Sequence, residues 1–369
     1  MGGYLQMKIL FIVQGEGRGH LTQAISMAQI VRDNNFELAG VLVGKSKHRE
    51  LPDFFGKRID APVKTFESPN FLPTPHGRSA GITKSVVGNL SLIPRFINSI
   101  LFIRKEIQET KPDLVINFYE LLTGMTYAIF RPETPLVCIA HQYIFLHPDY
   151  KFPKCNPLSL GLLKLFTRLT AIGSEKKLAL SLRPMPPSFD TKLSVVPPLL
   201  RNEVFNLKPQ KGNYLHGYLL NSGFRNELEA WHKREPNQQT EIFWEHEAAS
   251  PHPQLHYHPL HDQQFLSYMA GCKGYITTAG FESVCEAAYL GKPVFMVPTH
   301  IEQACNAHDA ALHDIGKASA HFNLDGFARY INDYQPHKEL KTWIQQGQFA
   351  IANELISVLK AKNGMFVFG

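Results

Sequence analysis

A glycine-rich loop that ends in a histidine follows the first apolar run of the chain. Residues 8–13 (KILFIV) lead into a segment in which Gly15, Gly17 and Gly19 alternate with larger residues before His20. Glycines at this density let a ligand approach the backbone closely, and the helical pattern that follows offers free N–H groups to a polarised oxygen. A neutral imidazole there can take the proton of an attacking hydroxyl group. The loop predicts a general base at His20, or a histidine that only positions the loop.

A dinucleotide-binding loop is the obvious alternative, and two features disfavour it. The glycines are spaced GxGxG rather than GxGxxG. The acidic residue expected at the end of the second strand is also missing, because residues 44–47 read GKSK. A nicotinamide-dependent dehydrogenase is therefore a weak interpretation of this loop.

A denser group of polar residues occupies positions 277–307, which we interpret as a phosphate and sugar site. A strand at 274–277 and a tight turn at 278–280 precede a predicted helix at 282–290. The first N–H groups of that helix suit a diphosphate, and Thr278 and Ser283 can add hydroxyl donors. Glu286, one turn further along the helix, can accept two hydrogen bonds from a ribose diol. Gly291 and Pro293 then end the helix in the expected order.

Two histidine-rich segments allow more than one interpretation. His256, His258 and His261 with Asp262 form HxHxxHD, and side chains at i and i+2 of a strand share a face, as metal ligands need. Histidines that line a polar cleft are the favoured interpretation, so we predict no metal site. His141 follows an apolar run at 136–140 and is expected to face the same cleft, as a ligand contact or as a residue that orders its loop.

Two sets of predicted strands must position these residues. Apolar runs at 8–13, 38–43, 113–118 and 136–140 alternate with helical patterns, and the rhythm resumes at 214–219, 241–244, 254–258, 274–277 and 293–297. Strand, helix and strand in alternation predict doubly wound parallel sheets, with ligands at the carboxyl ends of the strands. The fold class is therefore α/β with two Rossmann-like domains that face a central cleft. We place the first domain at 7–204, the second at 205–345, and a C-terminal helix at 346–369 that packs back on the first domain.

Composition and charge limit the function classes. The chain has 369 residues, 44% of them hydrophobic and 19% charged, which is typical of a globular protein. Five cysteines without a CxxC pair indicate a reducing cytoplasm. A net charge of +6 fits an ordinary basic enzyme, nucleotide phosphates or an acidic membrane surface, whereas no nucleic-acid module is recognisable.

Membrane contact rests on one apolar helical stretch. Residues 86–107 carry Arg95, Arg104 and Lys105 on an otherwise apolar pattern. The stretch predicts a core helix kinked at Pro94, or a surface helix that recruits a lipid-linked acceptor to the inner face of the membrane.

The segment at 277–307 resembles the donor motif of GT-B glycosyltransferases, both UDP-glycosyltransferases and MurG-like enzymes. Twelve positions match in order: Gly280, Phe281, Ser283, Glu286, Ala287, Gly291, Pro293, Pro298, Glu302, Gln303, Asn306 and Ala307. The N-terminal loop with Gly15, Gly17, Gly19 and His20 is similar to the acceptor-side loop of the same enzymes, where His141 would join it.

The resemblance implies a set of roles. Gly280, Phe281, Glu282 and Ser283 would bind the phosphates of a nucleotide sugar, with UDP as the expected nucleotide. Glu286 would bind the ribose, and Glu302 with Gln303 the transferred sugar. The backbone near His258 and Leu260 would recognise the base. His20 would be the base of an inverting transfer to a hydroxyl acceptor, with no cofactor and no metal required.

Two departures from the family pattern weaken the catalytic assignment. Thr278 stands where many relatives carry a phosphate-binding histidine. The usual aspartate partner of the base corresponds to Phe118, so only Glu120 is available as a substitute. A nucleotide-sugar hydrolase or 2-epimerase, and a binding protein without catalysis, therefore stay open as alternatives.

Overall fold

The structure is a computed structural model that describes residues 6–47, 49–69, 93–218, 222–244, 249–250 and 252–362. Two parallel sheets form its framework. The first sheet consists of β1 (Lys8–Gln14), β2 (Glu37–Lys45), β3 (Val63–Glu67), β4 (Leu114–Phe118), β5 (Leu136–Ala140), β6 (Lys176–Leu180) and β7 (Leu193–Val196). The second consists of β8 (Leu215–Tyr218), β9 (Thr240–Trp244), β10 (Leu255–Pro259), β11 (Gly274–Thr277), β12 (Val294–Met296) and β13 (Gly316–Ala318).

The strand order in both sheets explains where a ligand would bind. The first sheet has the order β3-β2-β1-β4-β5-β6-β7 and the second β10-β9-β8-β11-β12-β13. The direction of winding reverses between β1 and β4 and again between β8 and β11. Crevices at such reversals are the usual binding sites of open parallel sheets. The predicted fold class, two doubly wound α/β units, is confirmed.

Burial explains which strands were predictable. The strands β4 and β5 are buried at every residue and β1 at all but its ends, so they are continuous apolar runs without alternation. The strands β3, β6 and β13 were not predicted, because they are short and carry exposed or half-exposed lysines. The strand β7 was not predicted either, and Pro197 follows its end.

Helices cover the sheets and fill the connections between the strands. In the first half they are α1 (Arg18–Asp33), α2 (Asp53–Arg58), α3 (Ile93–Thr110), α4 (Leu121–Phe130), a 3-10 helix (His141–Leu146) and α5 (Pro157–Leu169). They continue with α6 (Asn202–Asn206), α7 (Ser222–His232), α8 (Asp262–Gly271), α9 (Phe281–Tyr289), α10 (Ile301–Leu312), α11 (Phe327–Asp333), α12 (Lys338–Gln345) and α13 (Gly347–Lys362).

The C-terminal part of the chain returns to the first sheet. The described part of the helix expected at 346–369 is α13, and a second helix, α12, precedes it with Gln346 between the two. The Trp343 indole donates to the Ser181 carbonyl over 2.9 Å, and Lys176 lies 3.5 Å from Glu354. One apolar cluster contains buried residues of both sheets together with Leu199 and Leu200 of the connection between them, whereas other buried residues of each sheet form separate clusters.

The helix α3 is the described part of the stretch proposed for membrane contact, since residues 86–92 lie outside the described residues. Phe96, Ile103 and Ile107 are buried, whereas Ile97 and Leu101 are 52% and 46% exposed. Pro94 is the second residue of the helix, where proline is tolerated because no intrahelical N–H bond is lost, and it is not at a kink within the helix. Over the part of the chain that the structure describes, no helix is long and apolar enough to cross a membrane.

Candidate active site

His20 lies in the first turn of α1, at the reversal between β1 and β4. Its side chain is buried, at 8% exposure. The Nδ1 atom lies 3.3 Å from Gln23 Oε1, and the Nε2 atom lies 3.3 Å from Gln142 Nε2. Burial lowers the pKa of the imidazole, and the charge of Glu282 opposes that shift. His20 is therefore a neutral imidazole held between two amides.

The glycines of the preceding loop have different reasons to be glycine. A side chain at Gly15 would collide with Val43 and with the carbonyl of Gly44, to which the Gly15 N–H donates over 2.7 Å. Gly17 has open space around it, which suits the approach of a ligand. A Cβ at Gly19 would lie 2.6 Å from Glu282 Oε2.

The residue that contacts the His20 ring from the end of β4 is Tyr119. It adopts a left-handed backbone conformation with φ 61°, which is strained for a bulky residue. The two rings stack with centroids 5.5 Å apart, and the Tyr119 hydroxyl lies 2.8 Å from Thr167 Oγ1. Phe118, the expected position of a carboxylate, packs edge-on against Phe11 in the core. The His20 ring thus has an aromatic neighbour, Tyr119, where the family pattern predicts a carboxylate.

The structure does not bring Glu120 to the His20 ring. The Glu120 carboxylate caps α4 by accepting from the Leu122 N–H over 3.0 Å, and it accepts from Ser68 Oγ over 2.7 Å. Gly44 leaves the space that this side chain occupies. Burial raises the pKa of Glu120 to about 7, although the hydrogen bond from Ser68 opposes the shift.

Replacement of Glu120 by glutamine tests whether burial raises the pKa of this carboxyl. The folded protein raises the pKa of this carboxyl, so the protonated group stabilises the fold fully at pH values below the unfolded-state pKa near 4.5. That contribution to the free energy of unfolding is lost as the pH rises to about 7. We expect Glu120→Gln to unfold like the wild type at pH 4.5 and to be more stable at pH 8, by up to about 3 kcal/mol. Urea unfolding at both pH values measures it, with the exposed Glu339→Gln as control. If the difference in unfolding free energy between Glu120→Gln and the wild type were the same at both pH values, the raised pKa of Glu120 would be contradicted.

A strained turn presents the start of α9 to the cleft. Ala279 has φ 68°, and Asn306 Nδ2 donates to its carbonyl over 3.2 Å. Gln303 Nε2 donates to Thr278 Oγ1 over 3.3 Å, while Gln303 Oε1 accepts from the Thr299 N–H over 2.9 Å. The Gln303 amide therefore fastens the turn to α10. This use was not expected, and its predicted contact with the sugar stays a prediction.

Side chains of the first turn of α9 contact residues of the first half of the chain across the cleft. The Phe281 ring stacks on the His141 ring, with centroids 4.6 Å apart and planes 7° apart. Ser283 Oγ donates to the Gly280 carbonyl over 3.1 Å. Glu282 accepts a hydrogen bond from Gln23 Nε2 of α1. These contacts bring the predicted phosphate site next to the predicted base.

Glu302 is the acidic member of a histidine cluster. Its Oε1 atom lies 3.0 Å from His141 Nε2, and the His141 ring centroid lies 6.5 Å from that of His20. Burial alone would raise the pKa of Glu302, but the adjacent His141 ring, with smaller effects of His300 and His20, lowers it to about 2. Glu302 is therefore an ionised hydrogen-bond acceptor close to His20, and its contact with the sugar stays a prediction.

Glu286 has a partner that the sequence did not reveal. Arg201, in the connection between the sheets, donates from Nε to Glu286 Oε1 and from Nη2 to Glu286 Oε2, each over 2.6 Å. The two side chains are 10% and 2% exposed. Arg201 Nη1 also lies 3.9 Å from Asp262 Oδ1, which accepts from Arg18 over 3.1 Å. Charges alternate along this network from the buried Glu286 to the partly exposed Arg18, so each one is compensated.

The predicted base-recognition segment lies at the end of β10. His256 Nδ1 and His258 Nε2 lie 2.8 Å and 2.5 Å from the two Glu241 oxygens. Leu260 is half-buried, and His261 caps α8 by accepting from the Gln264 N–H over 3.4 Å. Among the described residues, no cluster of His, Cys, Asp and Glu could hold a metal ion.

Comparison with known proteins decides the family. The profile of glycosyl transferase family 1 matches residues 7–333, which include both sheets and every site described above. The chain belongs to glycosyl transferase family 1. The predicted resemblance to GT-B glycosyltransferases is thereby confirmed, and the enzyme is a nucleotide-sugar glycosyltransferase. No curated protein matches the chain.

Solved structures of the same fold cover nearly the whole chain of this family 1 enzyme. The glycosyltransferase of kitacinnamycin is 13% identical, with a TM-score of 0.66 over 96% of this chain and 100% of its own. CalG4, the calicheamicin glycosyltransferase, is 14% identical, with a TM-score of 0.64 over 97% and 99%. UGT71G1 of Medicago truncatula, solved with UDP-glucose, is 12% identical, with a TM-score of 0.63 over 96% and 98%. At these identities the likeness shows the fold alone.

Proposed function

We propose that this enzyme transfers a sugar from a UDP-sugar to a hydroxyl acceptor with inversion at the anomeric carbon. The observation that carries the proposal is the position of His20, neutral and buried, beside the first turn of α9. The hydrogen bond from Gln23 to Glu282 and the stack of His141 on Phe281 connect the two. The solved relatives that hold UDP or UDP-glucose support this choice of nucleotide.

The proposed reaction is a single displacement. The acceptor hydroxyl takes the place of the Gln142 amide as the donor to His20 Nε2, and its oxygen attacks the anomeric carbon of the donor. The proton passes to Nε2 as the new glycosidic bond forms, while the bond from the anomeric carbon to the diphosphate breaks on the opposite face. UDP leaves, and the imidazolium then releases its proton to solvent.

The start of α9 would stabilise the leaving diphosphate. The backbone N–H groups from Gly280 to Ser283 are donors at a helix N-terminus, where negative charge is favoured. The Ser283 hydroxyl would join them by turning from the Gly280 carbonyl to the diphosphate. Thr278 lies behind them, held by Gln303. Glu286 has a second lone pair on each oxygen, beyond those that Arg201 uses, with which it can accept the ribose hydroxyls. Glu302 would accept from the transferred sugar, and the backbone near His258 and Leu260 would recognise the base.

Calorimetric binding of UDP, GDP, dTDP and NADH to the purified enzyme tests the donor assignment. We expect UDP to bind at least tenfold more tightly than the other three, which is a difference of about 1.4 kcal/mol. Binding of NADH alone, or of no nucleotide, would overturn the proposal.

A matched pair of serine variants locates the binding. Ser283 and Ser357 each donate to the carbonyl three residues earlier in a helix, over 3.1 Å and 2.7 Å. We expect Ser283→Ala to weaken UDP about tenfold, since a hydrogen bond to a charged group contributes about 1.5 to 3 kcal/mol. Ser357→Ala, on the exposed side of α13, should leave UDP affinity unchanged.

A further inference from the structure

Gln23 connects the base to a carboxylate of the opposite half of the molecule. Its side chain is fully buried in the second turn of α1. The Nε2 atom of Gln23 donates to Glu282 Oε1, and its Oε1 atom lies 3.3 Å from His20 Nδ1. Glu282 belongs to the first turn of α9 and is thus carried by the second sheet. One amide therefore bridges a histidine and an acid that lie 262 positions apart in the chain.

The carboxylate determines the direction of every hydrogen bond in this chain of contacts. An ionised carboxylate only accepts, so the Gln23 amide must present its N–H to Glu282. Its carbonyl oxygen then faces His20 and must accept, which places the imidazole proton on Nδ1. The lone pair is left on Nε2, and Gln142 Nε2, at 3.3 Å, donates to it. This is the tautomer that a general base at Nε2 requires.

Gly19 lacks a side chain at the place where the Glu282 carboxylate approaches α1. Its backbone angles are ordinary helical ones, so conformational freedom is not the reason for the glycine. A Cβ there would lie 2.6 Å from Glu282 Oε2. The absence of a side chain at Gly19 therefore allows the Glu282 carboxylate to rest against the first turn of α1, beside the base.

We propose that Glu282, acting through Gln23, is the positioning carboxylate of His20 and fixes it as the Nδ1–H tautomer. This rests on the proposed function only where catalysis is concerned, because the tautomer is a property of the free protein. We call the chain of contacts from Glu282 through Gln23 to His20 the relay. It would orient the imidazole as a carboxylate after β4 would, at the place where this chain has Phe118 and Tyr119. Since its two ends belong to different sheets, the base is fully oriented only while the two halves are in contact.

Nitrogen-15 spectra of the imidazoles in the free protein test the relay directly, with His20 assigned from the signal lost in His20→Gln. We expect the Nδ1–H form in the wild type. In Gln23→Ala, which removes both bonds, we expect a mixture of tautomers. In Glu282→Gln, which removes the charge, we expect the His20 pKa to fall. Glu302, His141 and Tyr119 also face the ring, and they stay unchanged in both variants.

Matched controls separate the relay from damage to the helices. Gln29→Ala alters the same helix at a glutamine that bonds to Asp33 on the surface, and Glu339→Gln alters the first turn of α12. Both should leave the His20 tautomer and pKa as in the wild type. A His20 spectrum that is the same in Gln23→Ala, Glu282→Gln and the controls would overturn the proposal.

Turnover supplies the second readout, with release of UDP from UDP-glucose to water as the assay. We expect Gln23→Ala and Glu282→Gln to lower kcat about 10- to 100-fold and to leave UDP affinity within about threefold, because the relay orients the base and binds no donor. A tenfold loss of UDP affinity in Glu282→Gln, with kcat preserved, would assign Glu282 to the donor instead. If no nucleotide binds but the spectra change as expected, the proposed function fails and the relay stands.

Discussion

Replacement of His20 by glutamine is expected to lower sugar transfer by about 10²- to 10⁴-fold, the range that a general base contributes. Glutamine has an amide of similar reach but cannot take a proton near neutral pH. The backbone donors at the start of α9 are untouched, so UDP affinity should stay within about threefold. Turnover and calorimetric affinity, measured on the same preparation, separate the two effects.

The pH dependence of kcat/KM adds a signature that a structural role would not produce. Burial lowers the pKa of His20 below its ordinary value of 6.5, so the active, neutral form persists as the pH falls to that lowered pKa. We expect activity to decline only below about pH 6.5, and we expect His20→Gln to abolish this limb. His321→Gln, at an exposed histidine of the second half, is the control. Retention of more than half of the activity in His20→Gln would exclude His20 as the base.

The second large effect is expected at the buried pair of Arg201 and Glu286. Either Arg201→Met or Glu286→Met leaves one charge buried without its partner, and such a loss costs about 3 to 5 kcal/mol. Asp262 compensates Arg201 only in part, since its Oδ1 atom is 3.9 Å from Nη1. Both single variants should therefore unfold at markedly lower urea concentration than the wild type.

The double variant Arg201→Met with Glu286→Met separates stability from ligand binding. It removes both charges and fills the volume with apolar side chains, so we expect it to recover most of the lost stability. If Glu286 also binds the ribose, the stable double variant should still bind UDP at least tenfold more weakly than the wild type. Wild-type UDP affinity in the double variant would restrict Glu286 to a structural role.

The parts of the site that the sequence predicted are those with a local pattern. The donor segment combines a strand, a turn and a helix within thirty residues, so its spacing alone indicates a phosphate site. The GxGxGH loop is equally local. Strands buried on both faces were predictable for the same reason, because β4 and β5 are uninterrupted apolar runs.

Partners distant in the chain left no such pattern. Gln23 looks like any polar residue of an amphipathic helix, and Arg201 like a basic residue of a linker, until the fold brings Glu282 and Glu286 to them. Glu120 was a wrong choice of partner for a conformational reason. The left-handed backbone at Tyr119 directs the tyrosine ring to His20 and leaves the next side chain, Glu120, to cap α4.

The two passages of the chain between the sheets lie side by side. A Cβ at Gly347 would be 3.1 Å from the Pro198 carbonyl oxygen, and Gln348 Nε2 donates to Asn202 Oδ1 over 2.8 Å. These are the two covalent connections between the sheets, so they stay together when the non-covalent contacts across the cleft, such as those of Gln23 with Glu282 and of Phe281 with His141, break. We therefore expect any opening of the cleft to be a rotation about the neighbourhood of Pro198, with the atoms farthest from it moving farthest.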